Sequence, residues 1–178
     1  FFHPLFSGIF LEDDLRTNER MFRFVFRMMS KGNMVLPKDG IASAPLQLAQ
    51  RLGDENIHLN CDVTIIDETT VNIDGEATSF DAVIRAFNST QYLEKRHVWT
   101  LHFDAEHSPL ASNHVLLNAD VKQNDGLIAH LAVPSDVQPS YAPTGRSLVT
   151  VTVVGERADA LGLTTAESIE SAVRSEVN

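Results

Sequence analysis

The chain has 178 residues and a formal net charge of -10, with 43% hydrophobic and 21% charged residues. This composition predicts one globular domain, or one large fragment, with enough apolar material for a core. The negative charge argues against a nucleic-acid backbone or an anionic membrane surface as the main partner. No apolar run reaches about eighteen residues, so we predict no membrane span. The single cysteine, Cys61, cannot form an internal disulfide, which fits a reducing, cytoplasmic location.

The first residues are apolar but follow no clean period. Pro4 and Gly8 interrupt the stretch from Phe1 to Asp14, and we predict a loop that docks aromatic side chains into the core. The chain begins without an initiator Met and without the regions of a signal peptide. We therefore expect an excised fragment of a longer protein.

A helix is predicted from Thr17 to Lys31, capped by Thr17 and ended by Gly32. Its Phe and Met residues form a broad apolar face, which we interpret as core, with the wall of a channel for an apolar substrate as the alternative. Arginines at spacings of three and four form a stripe on another face, and we interpret this stripe as solvated or ion-paired. The stripe consists of Arg16, Arg20, Arg23 and Arg27.

The central stretch, residues 36–66, predicts a turn, a helix and a strand. Pro45 lacks an amide hydrogen and suits the first helical turn, and Gly53 ends the helix. Apolar residues then alternate from Ile57 to Ile65, which is typical of a strand. Asp74-Gly75, between strands at Thr70–Ile73 and Ala77–Ser79, predicts a hairpin, and a further strand is predicted at Phe80–Ala86.

The second half of the chain predicts a sheet. The predicted strands are Val98–Ala105, His114–Asn118, Gly126–Val133 and Ser147–Val154. A short helix or loop is expected at 88–95, and Thr164-x-x-Glu167 predicts a capping box before a last helix. The fold class is therefore α+β, with a mixed or antiparallel sheet whose one face is covered by the helices that start near Thr17 and Thr164.

The central stretch resembles the flavin-containing amine oxidoreductases, a superfamily that includes phytoene-desaturase-like enzymes and protoporphyrinogen oxidase. The similar residues are Pro37-x-x-Gly40-Ile41, then Leu48-Ala49 and Leu52, then Ile57-x-Leu59-Asn60-x-x-Val63-x-x-Ile66. Asp39 stands where the family usually has glycine, and residues 133–154 also match the family form. The resemblance implies a substrate-binding lobe from 1–35 and 88–178, and a segment at 36–87 that abuts the FAD lobe.

The family implies FAD as cofactor and hydride transfer from an organic substrate to the flavin. By resemblance, backbone atoms around Val63 meet the nucleotide, with Asp62 and Thr64 beside it; an ordinary strand residue is the alternative for Val63. The glycine motif Gly-x-Gly-x-x-Gly, which cradles a pyrophosphate, is absent from this sequence. We therefore expect the chain alone to bind FAD weakly or not at all, and to be inactive.

The late sheet is expected to form one wall of the cavity for a small, apolar substrate, with Phe103, Leu117 and His130 as candidate contacts. The sequence identifies no catalytic residue, and His130 is better interpreted as a structural histidine than as a base. His102, Asp104 and Glu106 share a strand face, but we interpret them as a wet face and predict no metal site.

An alternative from another class remains open, namely a cofactor-free α+β module that binds a ligand or a protein. The sequence upstream in the gene would discriminate the two hypotheses, because a strand, a glycine motif and a helix there favour the oxidoreductase.

Overall fold

The computed structural model describes residues 2–86, 96–118 and 126–177. The chain forms two compact units, Phe1–Ile41 with Lys95–Asn178, here called the four-stranded unit, and Ala42–Glu94, here called the three-stranded unit. Both sheets are antiparallel, so the predicted α+β class is confirmed. The helices are α1 Phe2–Phe10, α2 Glu19–Lys31, α3 Ser43–Leu52, α4 Pro134–Val137, α5 Gly155–Ala160 and α6 Ala166–Val177. The strands are β1 Val63–Ile65, β2 Thr70–Ile73, β3 Glu76–Ser79, β4 Val98–Ala105, β5 Leu116–Leu117, β6 Ile128–Ala132 and β7 Ser147–Val154.

The sheet of the four-stranded unit has the order β4-β7-β6-β5. Strand β7 has the predicted bounds and places Val149, Val151 and Val153 on one face, where they are buried. Ile169 and Val173 of α6 belong to the same apolar cluster and are fully buried. Trp99, Leu101, Phe103 and Ala105 of β4 alternate onto this face, as predicted.

The opposite face of this sheet is covered by α1, which corrects the predicted loop at residues 1–14. Pro4 lies in the first turn of α1, where a missing amide hydrogen does not break the helix. Gly8 lets the helix approach the sheet, because a Cβ at this position would clash with Nε2 of His130. Pro4 and Gly8 are therefore both compatible with the helix, and Gly8 allows it to pack closely on the sheet.

Helix α2 does not cover the sheet, so the prediction that it shares one sheet face with α6 is wrong. No residue of α2 is buried, and its Phe22 packs on α1 at 4.7 Å between ring centroids from Phe6. The helix is also capped one residue later than predicted, since Oδ1 of Asn18, not Thr17, accepts a hydrogen bond from the Arg20 amide. Asn and Thr are both good caps, and sequence alone does not separate adjacent candidates.

The capping box of α6 is also displaced by one residue from the predicted Thr164 and Glu167. Oγ1 of Thr165 accepts a bond from the Ser168 amide at 3.2 Å, and Oγ of Ser168 accepts one from the Thr165 amide at 3.2 Å. The predicted apolar face of this helix is confirmed by the burial of Ile169 and Val173.

The three-stranded unit contains α3 and the sheet β1-β2-β3. The hairpin is confirmed, with Asp74 and Gly75 both at positive φ, 50° and 98°. The strand predicted from residue 57 is shorter, because β1 pairs only where β2 lies beside it. Phe80–Ala86 is not a strand, although the Phe80 amide still donates to the carbonyl of Thr69.

The remaining predicted strands are shorter than expected at their ends. His114–Asn118 reduces to Leu116–Leu117, and Gly126–Val133 reduces to Ile128–Ala132, where Val133 and Pro134 turn the chain into α4. The helix or loop predicted at 88–95 lies outside the described residues.

Candidate functional site

The three residues predicted to meet the cofactor lie on or next to β1, which is an edge strand of its sheet. The Asp74 amide donates to the Asp62 carbonyl, and the Ile66 amide donates to the Thr70 carbonyl. In an antiparallel pair, every second residue of a strand bonds to the neighbouring strand through its backbone. Asp62, Thr64 and Ile66 are therefore the residues that bond to β2, with Thr64 opposite Asn72. The N–H and C=O groups of Val63 therefore point to the open side of the strand.

The neighbours of Val63 offer less to a ligand through their backbone. Oδ1 of Asp74 accepts a bond from the Asp62 amide at 2.8 Å, so both backbone groups of Asp62 are engaged. The side chains of Asp62 and Thr64 are exposed, and Val63 is half-exposed at 49%. The outward N–H of Val63 can donate and its C=O can accept, and the Asp62 carboxylate and the Thr64 hydroxyl lie one residue to either side. These groups are of the kind that could hydrogen-bond the polar edge of a nucleotide base.

The three residues predicted to line a substrate cavity do not share one wall. Leu117 and His130 are directly paired across β5 and β6, so their side chains lie on the same face of the sheet. Phe103 lies on the other face, with Val149 and Val151. A single cavity wall can include Leu117 and His130, or Phe103, but not all three.

His130 is enclosed by α1 on its side of the sheet. Its ring lies against Gly8, and burial lowers its pKa because the charged imidazolium loses its hydration there. A neutral imidazole at neutral pH follows. This environment agrees with the structural interpretation of His130, and its role toward a substrate stays a prediction.

Phe103 lines a groove of about 630 Å³ between β4 and α6. The Arg174 guanidinium lies 4.8 Å from the centre of the Phe103 ring and is held there by Glu170, at 2.8 Å. Nε1 of Trp99, another lining residue, is buried and has no hydrogen-bond partner among residues 2–86, 96–118 and 126–177. The groove therefore combines two aromatic side chains, Trp99 and Phe103, with charged and polar ones that include Asp104, Glu170 and Arg174. Only the alternation of β4 indicated it from the sequence.

A buried carboxylate was missed by the sequence reasoning. Glu12 is fully buried, accepts a bond from the Thr17 amide at 2.6 Å and lies 2.8 Å from the Arg96 guanidinium. Burial raises its pKa, but the bonds from Thr17 and the charge of Arg96 outweigh this and leave the pKa below its usual range. The pair ties the loop after α1 to the start of β4. Nothing in the local pattern distinguishes Glu12 from the acidic residues beside it.

The polar face of β4 is engaged within the sheet. Nδ1 of His102 lies 3.0 Å from Oγ1 of Thr150, and Arg146 donates two bonds to Asp104, which lower the pKa of that carboxyl. Within residues 2–86, 96–118 and 126–177, no three His, Cys, Asp or Glu side chains are grouped so that they could hold a metal ion.

Helices in this same part of the chain are too short or too polar to cross a bilayer. No curated protein and no solved structure matches the chain significantly. A family model described as flavin containing amine oxidoreductase matches residues 1–111, which is more than half of the 178 residues. The match includes the central stretch, β1 and β4. The resemblance found in the sequence is thus confirmed, and the chain belongs to the flavin-containing amine oxidoreductase family, a family of flavin-dependent oxidoreductases.

Proposed function

We propose that the chain is part of an FAD-dependent oxidoreductase that takes a hydride equivalent from a C–H or N–H bond of a small, apolar substrate. The observation that carries this proposal is the family match across residues 1–111, which includes both the candidate cofactor strand and the groove strand. The bound flavin supplies the redox chemistry, and the protein positions the substrate and excludes water.

For the cofactor, the proposal assigns Val63 the central contact. Its backbone N–H and C=O face the open edge of β1, where they are available to a nucleotide base. Asp62 and Thr64 present exposed side chains next to it. A glycine-rich phosphate-binding turn, absent from this sequence, must come from elsewhere in the protein.

For the substrate, the proposal favours the groove that contains Phe103. Its Trp99 and Phe103 side chains suit the apolar part of a substrate, and the N–H of Trp99 can donate a hydrogen bond to one polar atom of that molecule. Leu117 and His130 line the opposite face of the sheet, and His130 is closed off by Gly8. These two are therefore the weaker substrate candidates.

The test of the cofactor assignment is the visible absorbance spectrum of the protein expressed from the complete reading frame, with this chain alone as control. We expect a bound-flavin spectrum in the long form only. A long form that is colourless and does not take up added FAD would contradict the proposal, and the cofactor-free binding module would then be the better hypothesis.

Two proline variants separate the Val63 contact from general damage to the strand. Val63→Pro removes the outward N–H from an edge position that tolerates proline, and we expect about tenfold weaker FAD binding from one lost hydrogen bond. Ile65→Pro removes the equivalent outward N–H two residues later, and Val63→Leu keeps the backbone intact. Binding by both controls should match the parent protein; equal losses in all three would refute the assignment of Val63.

Substrate screening follows by bleaching of the flavin absorbance without oxygen. In the long form, Phe103→Ala is expected to raise KM for an apolar substrate about tenfold, through loss of buried apolar contact. Leu117→Ala, on the other sheet face, should leave KM within about twofold. A large rise in KM for Leu117→Ala with little change for Phe103→Ala would instead place the substrate site on the sheet face of His130.

A further inference from the structure

The charge of this chain is unevenly distributed. Residues 16–31 carry five of the fourteen basic side chains and one of the twenty-four acidic ones, although the whole chain has a net charge of -10. The whole-chain charge argues against an anionic membrane surface as a partner, but that charge is an average. The segment around α2 has the opposite sign from the rest of the molecule.

Exposed apolar side chains lie beside these basic residues on α2. Phe22, Val25 and Met29 form the half-buried side of the helix, while Met21, Phe24 and Met28 are exposed, Phe24 at 57%. Because successive residues turn by about 100°, these three form a strip along one side of the helix.

The basic strip lies next to the apolar one on the same solvent-facing surface. Arg20, Arg27 and Lys31 lie at helical spacing beside the strip of Met21, Phe24 and Met28 and are exposed. Within the described ranges, they form no ion pair, whereas Arg23 pairs with Glu19. After Gly32 ends the helix, Met34 and Val35 are two further exposed apolar residues, and Val35 is 78% exposed.

We propose that α2 and the residues after it, up to Val35, dock on an anionic phospholipid surface. A helix of thirteen residues is about 20 Å long, too short to span the hydrocarbon, but its parallel apolar and basic strips suit a position at the interface. The Phe and Met side chains enter the acyl boundary, while Arg20, Arg27 and Lys31 reach the phosphates.

Charge complementarity and the shape of the two strips favour an anionic lipid surface as the partner of α2. An anionic plane attracts the segment 16–31, whose net charge is opposite in sign to that of the rest of this chain. The inference is independent of the proposed redox function, because no cofactor or substrate contact enters it.

The test is flotation of the chain with vesicles of phosphatidylcholine alone and with vesicles that contain about a quarter phosphatidylglycerol. Binding is expected only to the anionic vesicles, and it should weaken with added salt as screening increases. No binding to either vesicle, or equal binding to both, would overturn the proposal. Capture by an acidic protein with no vesicle binding would assign the surface to that other class of partner, and would also overturn it.

Variants identify the surface that binds. Arg20→Gln with Arg27→Gln should weaken binding to anionic vesicles about 25-fold, at about fivefold for each charge. Phe24→Ser with Met28→Ser should weaken it by at least about tenfold, through lost apolar burial. The matched control replaces exposed apolar residues of another helix, Leu46→Ser with Leu48→Ser, each 61% exposed on α3. Equal loss in this control would contradict the role of α2.

A spectroscopic reporter shows whether α2 itself enters the lipid. Phe24→Trp in a Trp99→Phe background places the single tryptophan of the variant on the exposed strip. Its emission is expected to shift to the blue with anionic vesicles and to be quenched by brominated acyl chains. Unchanged emission on vesicles that bind the protein would show that another surface docks.

Discussion

Apolar residues alternate with other residues in both sheets of this chain, but the two sheets bury them differently. In the four-stranded unit, the apolar face of β7 is buried, and Val151 and Val153 are almost inaccessible. In the three-stranded unit, Val71 is the one apolar side chain that is buried among residues 42–86. Val63 at the edge and Leu59 before it are exposed, although both belong to an alternating pattern.

The difference lies in what covers each sheet. Helix α6 packs on one face of β7, and α1 packs on the other face, against His130. In the three-stranded unit, α3 has no buried residue, and its Leu46, Leu48 and Leu52 are exposed. Alternation thus predicts that a segment can be a strand, whereas burial depends on a second layer that local sequence does not specify.

The largest effect that tests this comparison is expected from the second layer itself. Ile169→Ala empties a fully buried site between α6 and β7 and should lower the free energy of unfolding by about 2–5 kcal/mol. Urea unfolding followed by the fluorescence of Trp99, the only tryptophan, measures it. Leu161→Ala, at an exposed position in the same unit, should change the free energy by less than about 0.5 kcal/mol. Equal losses in the two variants would mean that α6 does not form the second layer.

The sequence predicts best where the side-chain period and strong punctuation coincide. Strand β7 has its predicted bounds, since a β-branched run ends at Gly155. The hairpin is correct because Asp74 and Gly75 tolerate positive φ. Cap residues are wrong by one position at α2 and α6, where adjacent Thr, Asn and Ser side chains compete for the same role.

The failures have a tertiary origin. The sequence pattern predicts that Gly8 interrupts any helix at residues 1–14. In the structure, the lack of a side chain at Gly8 is what allows α1 to contact His130. The strand from Ile57 was predicted too long because a strand extends only as far as its partner. For the candidate site, the cofactor contact of Val63 stays a prediction from the resemblance, while the separation of Phe103 and His130 onto two faces required the strand register.

A smaller effect tests the first layer, α1. Gly8→Ala should destabilise the four-stranded unit by about 1–3 kcal/mol, because the new methyl group meets the His130 ring. The same substitution in a His130→Ala background should instead stabilise by up to about 1 kcal/mol, because alanine favours helix over glycine. A double-mutant cycle of urea unfolding measures this change of sign. Destabilisation of the same size in both backgrounds would place the clash elsewhere.

The next effect concerns the three-stranded unit, where turn geometry rather than burial holds the hairpin. Gly75→Ala forces a left-handed conformation on a side chain and should cost about 1 kcal/mol. Amide hydrogen exchange in β2 and β3 should then become about fivefold faster. Gly32→Ala, at an extended φ of -160° with open space around it, should leave exchange and stability unchanged. Similar acceleration by both variants would indicate a general effect of lost glycine flexibility.

The smallest expected effect is a pH dependence of the four-stranded unit, because one half-buried imidazole causes it. Burial lowers the pKa of His130 in the folded state below the ordinary value of 6.5, so the unfolded chain binds its proton first. The stability from neutral His130 is therefore fully present above about pH 6.5 and is lost as the pH falls toward the folded pKa. Glu12 also has a lowered pKa, and it contributes a separate loss that begins only near its ordinary value of 4.5. Urea unfolding between about pH 7 and 5 should show a slope that His130→Gln reduces and that His102→Gln, at an exposed position on the same face, does not. A slope that both variants leave intact would show that α1 does not shield His130 from water, and the first layer over this sheet would then be looser than the packing of Gly8 implies.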